Sequence, residues 1–500
     1  MIFRNRRIGR RTVVKGFSLS ALLGMSAAQL GCDDAPTTAD EQASILDLKF
    51  AVEHQFRPFE LVAPGFEAID SSEPVSMRSL TMADRGPVAP FAAIELSVAA
   101  ADDADVVAGL FSSRGDDSAA VVFSPRRKRV SIEVGRGGDT HVVAEKSVEL
   151  TAPFQAAFVV CENQVTALAD TGAGWQPIVT NRDQVAALID LRQPDILADL
   201  AYGYGAGGSD GEVRLSRVRA GAFGMAGLRD PHLVQRPDGT AYIRDGKAYL
   251  TFSCAGLGFF QQAHWGVFTL DLDDPTKVEQ VAQLYTKRDG LLLGDHAGQV
   301  IVDEPNGQFI VLTSSWGDFD FRGVHVRHVV TSDDVLSGVH LLETERLDLP
   351  TEVSSWDPAL TRIDDSWHVA FVESPSQDPF DFHPALVAGP SGAAYDENLE
   401  LIGADTSLHQ TEGPILQRVD GQWYLLASDG DQRQYPVYNL SVQLLGTLDA
   451  PYGTNIPHPQ IVDRPGGGYL MVSFDGTQYG EDVLGYGGHG DVLIMAAKPA

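Results

Sequence analysis

The sequence predicts an all-β chain in two parts: an antiparallel β-sandwich of jelly-roll type, then a five-bladed β-propeller. Three observations predict it. A hairpin unit recurs five times after residue 226. Short strands separated by polar turns fill residues 44–222. Glycine accounts for 50 of the 500 residues, which suits turns and short strands better than helices. Five hundred residues exceed one ordinary core, so two domains are expected. The formal charge of −31 repels phosphate backbones. It excludes nucleic acid as a partner and leaves a neutral ligand or a cation.

Residues 1–32 read as an export signal rather than as part of the fold. Arg4, Arg6, Arg7, Arg10 and Arg11 precede an apolar run from Phe17 to Leu30. Arg10-Arg11-Thr12-Val13-Val14-Lys15 looks like a twin-arginine signal, read by a pathway that exports folded proteins. The apolar run is too short for a membrane span. It ends at Leu30-Gly31-Cys32, which resembles a bacterial lipoprotein cleavage site with Cys32 lipidated. Gln29 departs from that pattern, and cleavage near Ser26-Ala27-Ala28 would instead release a soluble protein. A membrane association is therefore expected only through a lipid on Cys32. The expected locations are the cell surface or periplasm, or, without the lipid, the secreted fraction. Residues 33–43 form a polar tether. Cys161 and Cys254 sit in apolar strands of different parts, so both are expected as buried free thiols.

Between 44 and 222 the strands include Phe91–Val98, Val106–Phe111, Ala119–Phe123, Val130–Val134, Gln155–Val160 and Gln164–Ala169. Turns fall at Gly115-Asp116-Asp117 and Gly135–Asp139. Tyr202–Gly208 is a Gly-rich return, a short helix is expected around Asp183–Leu191, and the alternating run Glu212–Val218 closes the layer pair. The order resembles concanavalin-like jelly rolls. This part is expected to be an accessory or carbohydrate-binding domain.

Each of the five copies in 226–500 pairs a short apolar strand with a second strand across a turn. Asp230-Pro231 leads to Ala248–Phe252, His296-Ala297 to Phe309–Leu312, and Asp357-Pro358 to Trp367–Phe371. Glu412-Gly413-Pro414 leads through Asp420-Gly421 to Trp423–Leu426, and His458-Pro459 through Gly466-Gly467-Gly468 to Tyr469–Val472. A four-stranded blade cannot bury both faces alone, so blades stack around an axis. The first strand of each copy is innermost. Asp230, His296, Asp357, Glu412 and His458 then meet at one mouth of the channel.

Any one Asp-Pro is most simply a structural turn. The ordered set resembles glycoside hydrolase family 43, a family of five-bladed propeller glycosidases. The resemblance implies that Asp230 is the general base, Asp357 tunes pKa values and orients the proton donor, and Glu412 is the general acid. It implies an inverting reaction, and a histidine in blade five, here His458, that helps hold a metal ion or water. A Ca²⁺ ion in the channel is the cofactor it suggests. Two features depart from the family. The sandwich precedes the propeller instead of following it, and the first hairpin, 236–247, is long.

The chemistry agrees with that set. Glycoside hydrolysis needs one protonated and one ionised carboxyl flanking the bond, about 6.5–9.5 Å apart in inverting enzymes. Burial beside Asp357 and Trp423 would raise Glu412, and Arg229 would keep Asp230 ionised. His296, Trp316 and Trp356 are candidate substrate-binding residues, the indoles as sugar platforms. The bland readings are a core histidine and blade-core tryptophans. His325 and His328 point to opposite faces of a strand, and the acids at 318, 320 and 378–381 read as solvated rims.

The expectation is an exported, monomeric glycosidase acting on oligo- or polysaccharides that contain arabinose, xylose or galactose. The rivals are a non-catalytic propeller lipoprotein that binds glycans or a partner, and a transferase or lyase using the same site. The signal generates its own test. Arg10→Lys with Arg11→Lys is expected to hold the precursor in the cytoplasm, and Cys32→Ala to release the protein from the membrane fraction. Undiminished export from cells lacking the twin-arginine machinery, measured by fractionation, would sink the first claim.

Overall fold

The computed structural model describes residues 44–208, 211–478 and 489–497. The expected export signal, tether and Cys32 lie outside them. The described residues fall in one compact unit.

The described chain is almost entirely β, in seven sheets. Two belong to the N-terminal part. One has the order Gln176–Asn181, Gln164–Asp170, Phe154–Cys161, Phe91–Asp102, Glu212–Met225, Glu60–Ser71. The other has the order Leu80–Met82, Leu200–Gly207, Asp105–Ser112, Ser118–Ser124, Arg129–Arg136, Asp139–Ser147. Alternate residues of both fill one core: Ile94, Leu96 and Phe158 from the first face Val121, Phe123 and Ile132 from the second. The expected helix forms at Asp183–Leu188. Asn181 ends the preceding strand, and its Oδ1 accepts from the amide of Gln184 at 3.0 Å.

The other five sheets each start with the strand that opens a repeat. Those strands are Leu228–Leu233, His296–Asp303, Ser354–Ile363, Thr411–Val419 and Gln460–Asp463. The predicted Asp420-Gly421 turn has φ of +47° and +83°, the left-handed pair that a two-residue hairpin requires. The long first hairpin contains a smaller one, with Arg244 opposite Lys247 across Asp245-Gly246.

Each consecutive pair of these sheets encloses its own core. Trp265 and Val300 meet between the first and second, Leu312 and Leu360 between the second and third. Ala359 and Leu416 meet between the third and fourth, Ile415 and Met471 between the fourth and fifth. Val472 and Leu250 then join the fifth sheet back to the first, which closes the series. The first strands are buried on both faces, so their polar side chains must find partners inside. Glutamines supply them. Gln299 donates to Gln235 Oε1 at 2.8 Å and accepts from the Leu360 amide at 2.6 Å. Gln460 donates to Gln417 at 3.3 Å and accepts from the Leu233 amide at 2.9 Å.

The boundaries differ from expectation in two places. From sequence, everything from 44 to 222 belongs to the N-terminal layers. Ala51–Phe56 instead pairs antiparallel with His489–Ala497 and completes the fifth sheet. Its alternation is weak and its partner lies more than 400 residues away, so nothing local marks it. The closing strand expected at 212–218 runs on to Met225, straight into the first repeat. Gly224 and Phe223 carbonyls accept from His264 Nε2 (2.9 Å) and Gln283 Nε2 (3.0 Å), so the two parts are joined by backbone as well as by apolar packing. Cys161 and Cys254 are buried and free, as expected.

The closure yields a stability prediction. Phe50, 6% exposed, packs with Ile45 and Leu48 against the fourth and fifth sheets. Phe50→Ala is expected to cost about 3–5 kcal/mol in urea unfolding. An unchanged midpoint would show that this segment is not part of the core between the fourth and fifth sheets.

Candidate active site

Four first strands open with the same irregularity. The pairing register breaks between Arg229 and His232, His296 and Gln299, Trp356 and Ala359, and Glu412 and Ile415. Inside each break one residue is left-handed: Asp230 (φ +48°), Ala297 (+53°), Asp357 (+50°) and Gly413 (+62°). Asp and Gly tolerate this conformation better than most residues, and the prolines at 231, 358 and 414 remove a donor where the ladder is already broken. Gly413 has a second reason. A Cβ there would stand 2.3 Å from the His458 ring.

The bulge sorts the site residues into two tiers. Asp230, Ala297, Asp357 and Gly413 are equivalent, and the spacing to Gln460 puts His458 with them. Arg229, His296, Trp356 and Glu412 form the other tier, one residue earlier. From sequence, Glu412 and His296 align with Asp230 and Asp357; in the structure they are offset by one. The extra residue of a bulge changes which way the next side chain points.

Asp230, Asp357, Glu412 and His458 do converge, as expected. His458 Nε2 lies 3.4 Å from Asp357 Oδ2 and 3.8 Å from Asp230 Oδ1. These are ion-pair distances without hydrogen-bond geometry, and Nε2 has no hydrogen-bond partner. Asp357 Oδ2 accepts from the Gly413 amide at 3.2 Å, tying it to the residue beside Glu412. Glu412 is partly exposed, and its Oε2 accepts from Trp356 Nε1 at 3.3 Å. Arg229, 1% exposed, brings its guanidinium to 3.5 Å from Asp230 and lies over the Phe474 ring at 4.8 Å.

These contacts separate the three acids electrically. Burial pushes Asp230 up, but the Arg229 guanidinium, His458, His296 and the Ser253 hydroxyl outweigh it, and its pKa is lowered. Glu412 is raised to about 7 by burial and by the charge of Asp230, against the pull of Arg229 and the Trp356 N–H. Asp357 is raised well above its ordinary value by burial, then by Glu412 and Asp230. Burial lowers His458 to about 4, so a neutral ring sits between two aspartates. At neutral pH the site holds one ionised carboxylate and two groups that hold or share protons.

His296 is buried and lowered by that burial; its Nδ1–H donates to the Gly294 carbonyl at 3.0 Å. Trp316 and Trp356 are 6% and 1% exposed, so neither offers a full ring face to solvent. They meet edge to face at 5.6 Å. Trp356 is instead overlain by Phe380, which is 37% exposed and nearly parallel to it at 5.6 Å. Trp423, expected beside Glu412, packs with the core of the third and fourth sheets. Sequence reasoning also missed the serines. Ser253, Ser314 and Ser428 stand opposite Arg229, His296 and Glu412. Ser253 Oγ accepts from the Ala297 amide (3.0 Å), and Ser314 Oγ from the Asp357 amide (2.9 Å). Each ties its sheet to the bulge of the next. Their recurrence as the seventh residue of the second strand in three repeats was the available signal.

Behind the acids is a cavity of about 10 Å³, lined by Asp230, His232, Asp357, Pro414 and His458 among others. It has room for about one water. Ca²⁺ draws six to eight oxygen ligands. Among the described residues no group of three or more His, Cys, Asp or Glu is placed to hold a metal ion. A larger hollow of about 730 Å³, lined by Arg236, Val302 and Arg362, lies at the far ends of the first strands and contains none of the three acids.

No family model matches the sequence, and no curated protein is similar to it. Solved structures are similar in fold. A GH43_1 enzyme from Xanthomonas citri is 15% identical over 54% of this chain and 87% of its own, with a TM-score of 0.36. The α-L-arabinanase of Penicillium chrysogenum, complexed with arabinobiose, is 13% identical over 69% and 91%, TM-score 0.34. A family 117 glycoside hydrolase from the marine bacterium Zobellia galactanivorans is 10% identical over 55% and 85%, TM-score 0.38. Likenesses this slight carry no weight for the reaction, which rests on the geometry above.

The raised pKa of Glu412 is also a stability statement. A carboxyl raised from 4.5 to about 7 on folding stabilises the fold fully only below 4.5, and that contribution is lost as pH rises through about 7. Glu412→Gln cannot ionise. Its melting temperature relative to wild type is expected to rise between about pH 5 and about pH 8. An equal offset at both pH values would mean that Glu412 titrates normally.

Proposed function

We propose that the chain is a glycoside hydrolase that cleaves glycosidic bonds of arabinose-, xylose- or galactose-containing glycans with inversion. One observation carries the reading. A carboxylate held ionised by a buried arginine, Asp230, and a carboxyl raised to about 7, Glu412, meet where five repeats converge. Those are the two protonation states this hydrolysis needs at one pH. In this reading the five sheets are the blades of a propeller, and the N-terminal sheet pair is a concanavalin-like sandwich. The protein is an exported, Cys32-anchored monomer.

Each residue then has a role. Glu412 gives its proton to the departing glycosidic oxygen as the C1–O bond breaks. Asp230 takes a proton from a water that attacks C1 from the opposite face. The sugar is released with inverted configuration, and Asp230 and Glu412 exchange one proton with solvent to reset. Burial and the charge of Asp230 keep Glu412 protonated, and Asp357 orients it by accepting from the amide of Gly413 beside it. Trp356 limits how far Glu412 rises and aims its Oε2. His296 and His458 are neutral packing partners of Asp230. Trp316 supports Trp356 from behind, and the exposed Phe380 is the sugar platform.

The test is a substrate-by-variant matrix of kcat/KM, after a screen of aryl glycosides and polysaccharides. Glu412→Gln is expected to cost about 10²–10⁴-fold on poor leaving groups and far less on activated aryl glycosides. Asp230→Asn is expected to depress both alike, with azide restoring turnover as an inverted glycosyl azide. Wild-type rates for Glu412→Gln on a poor leaving group would remove the acid assignment and favour a non-catalytic glycan-binding propeller.

A further inference from the structure

The loop 255–263, between the second and third strands of the first repeat, joins the two parts of the molecule at the site. Its start is held by the N-terminal layers: Gln164 Nε2 donates to the Leu257 carbonyl. Its end is held by the second repeat: Gln261 Nε2 donates to the Phe319 carbonyl. Between these anchors stand Phe259 and Phe260, in contact at 4.2 Å.

Those two rings begin a track of aromatics that ends on the proposed acid. Phe260 meets Trp316 at 4.8 Å, Trp316 meets Trp356 at 5.6 Å, and Trp356 donates to Glu412. On the outer side Phe259 lies nearly parallel to Phe321 at 6.2 Å. Phe321 is 65% exposed and has φ of +67°. An exposed phenylalanine contributes little to folding, and a left-handed backbone at a bulky residue costs energy. Both features are unfavourable for the free protein, which points to a ligand.

The track runs outward into an open groove of about 440 Å³. One wall is Gly258 and Phe259; the other is Gln164 and the 180–183 segment of the N-terminal layers. Arg182 and Asp183 stand there as a pair at 3.0 Å, with side chains 44% and 86% exposed. Aromatic faces suit the apolar faces of sugar rings, and exposed guanidinium–carboxylate pairs suit their hydroxyls. A net charge of −31 disfavours an anionic chain.

We propose that the outer rings Phe321 and Phe259 and this groove form a distal subsite for a neutral glycan chain of several sugar units, which leads from the mouth at Glu412 to Arg182 and Asp183. This rests on the glycosidase reading and deepens it. The substrate is an oligomer or polymer, and the N-terminal part supplies one wall of its binding site.

The probes are xylo-, arabino- and galacto-oligosaccharides of one to six units. The readouts are kcat/KM for wild-type protein and binding by calorimetry to Glu412→Gln. For wild type, kcat/KM on the productive series is expected to rise at least tenfold from dimer to hexamer. In Phe321→Ala and in Arg182→Ala with Asp183→Ala, the hexamer-to-dimer ratio is expected to fall about tenfold, through KM rather than kcat. The surface pair Arg182 and Asp183 guards against a folding defect at Phe321. A flat chain-length series, or variants that weaken dimer and hexamer equally, would overturn the subsite and leave the glycosidase reading intact. If no glycoside turns over, that reading fails, and calorimetry still decides. Hexamer binding to wild type that weakens in both variants supports the track, and no binding at any length overturns it.

Discussion

A left-handed residue just inside four of the five first strands is the constraint on which the site depends. It breaks the ladder for two residues and turns two consecutive side chains toward the same mouth, where regular pleating would send them to opposite faces. Without it Arg229 and Asp230 would not both be buried at one end. The surrounding serines over-determine it: Ser253 and Ser314 hold the amides of Ala297 and Asp357, so the strain of one sheet is supported by its neighbour. Gly413 is the tightest point, because the His458 ring occupies the space of a side chain.

Burial does most of the electrical work. Three acids and one guanidinium share a small volume with two histidines too buried to charge readily. Arg229 lies against Asp230, so that acid stays ionised, and its negative charge then helps to hold Glu412 and Asp357 protonated. The arrangement stores destabilisation in exchange for two proton states at one pH. A stable fold tolerates it because the glutamine contacts and the apolar cores between the sheets lie just behind.

The N-terminal part is more than an appendage. Ala51–Phe56 completes the last sheet, and Glu212–Met225 leads through Ala226-Gly227 alone into the first repeat. Glu162, a buried carboxyl raised well above its usual value by burial, accepts from the Gly294 amide next to Asp295 and His296. Phe91 stacks on Tyr285 at 5.5 Å in the same seam. Removing the N-terminal part would therefore take away a strand, a core and the support behind the second repeat.

The sequence by itself determined the all-β class, the five repeats, the hairpin turns and the convergence of Asp230, Asp357, Glu412 and His458. These are legible because Asp-Gly turns, Asp-Pro openings and apolar alternation act over a few residues and recur at a steady spacing. Only the tertiary structure decided the one-residue offset of Glu412 and His296, the burial of Trp316 and Trp356, and the use of Ala51–Phe56 at the end of the chain. A bulge adds its residue without changing the local sequence pattern. An indole's exposure depends on what another repeat lays over it, here Phe380. A strand's partner is chosen by which sheet edge remains open, and that edge exists only once the rest of the chain has folded.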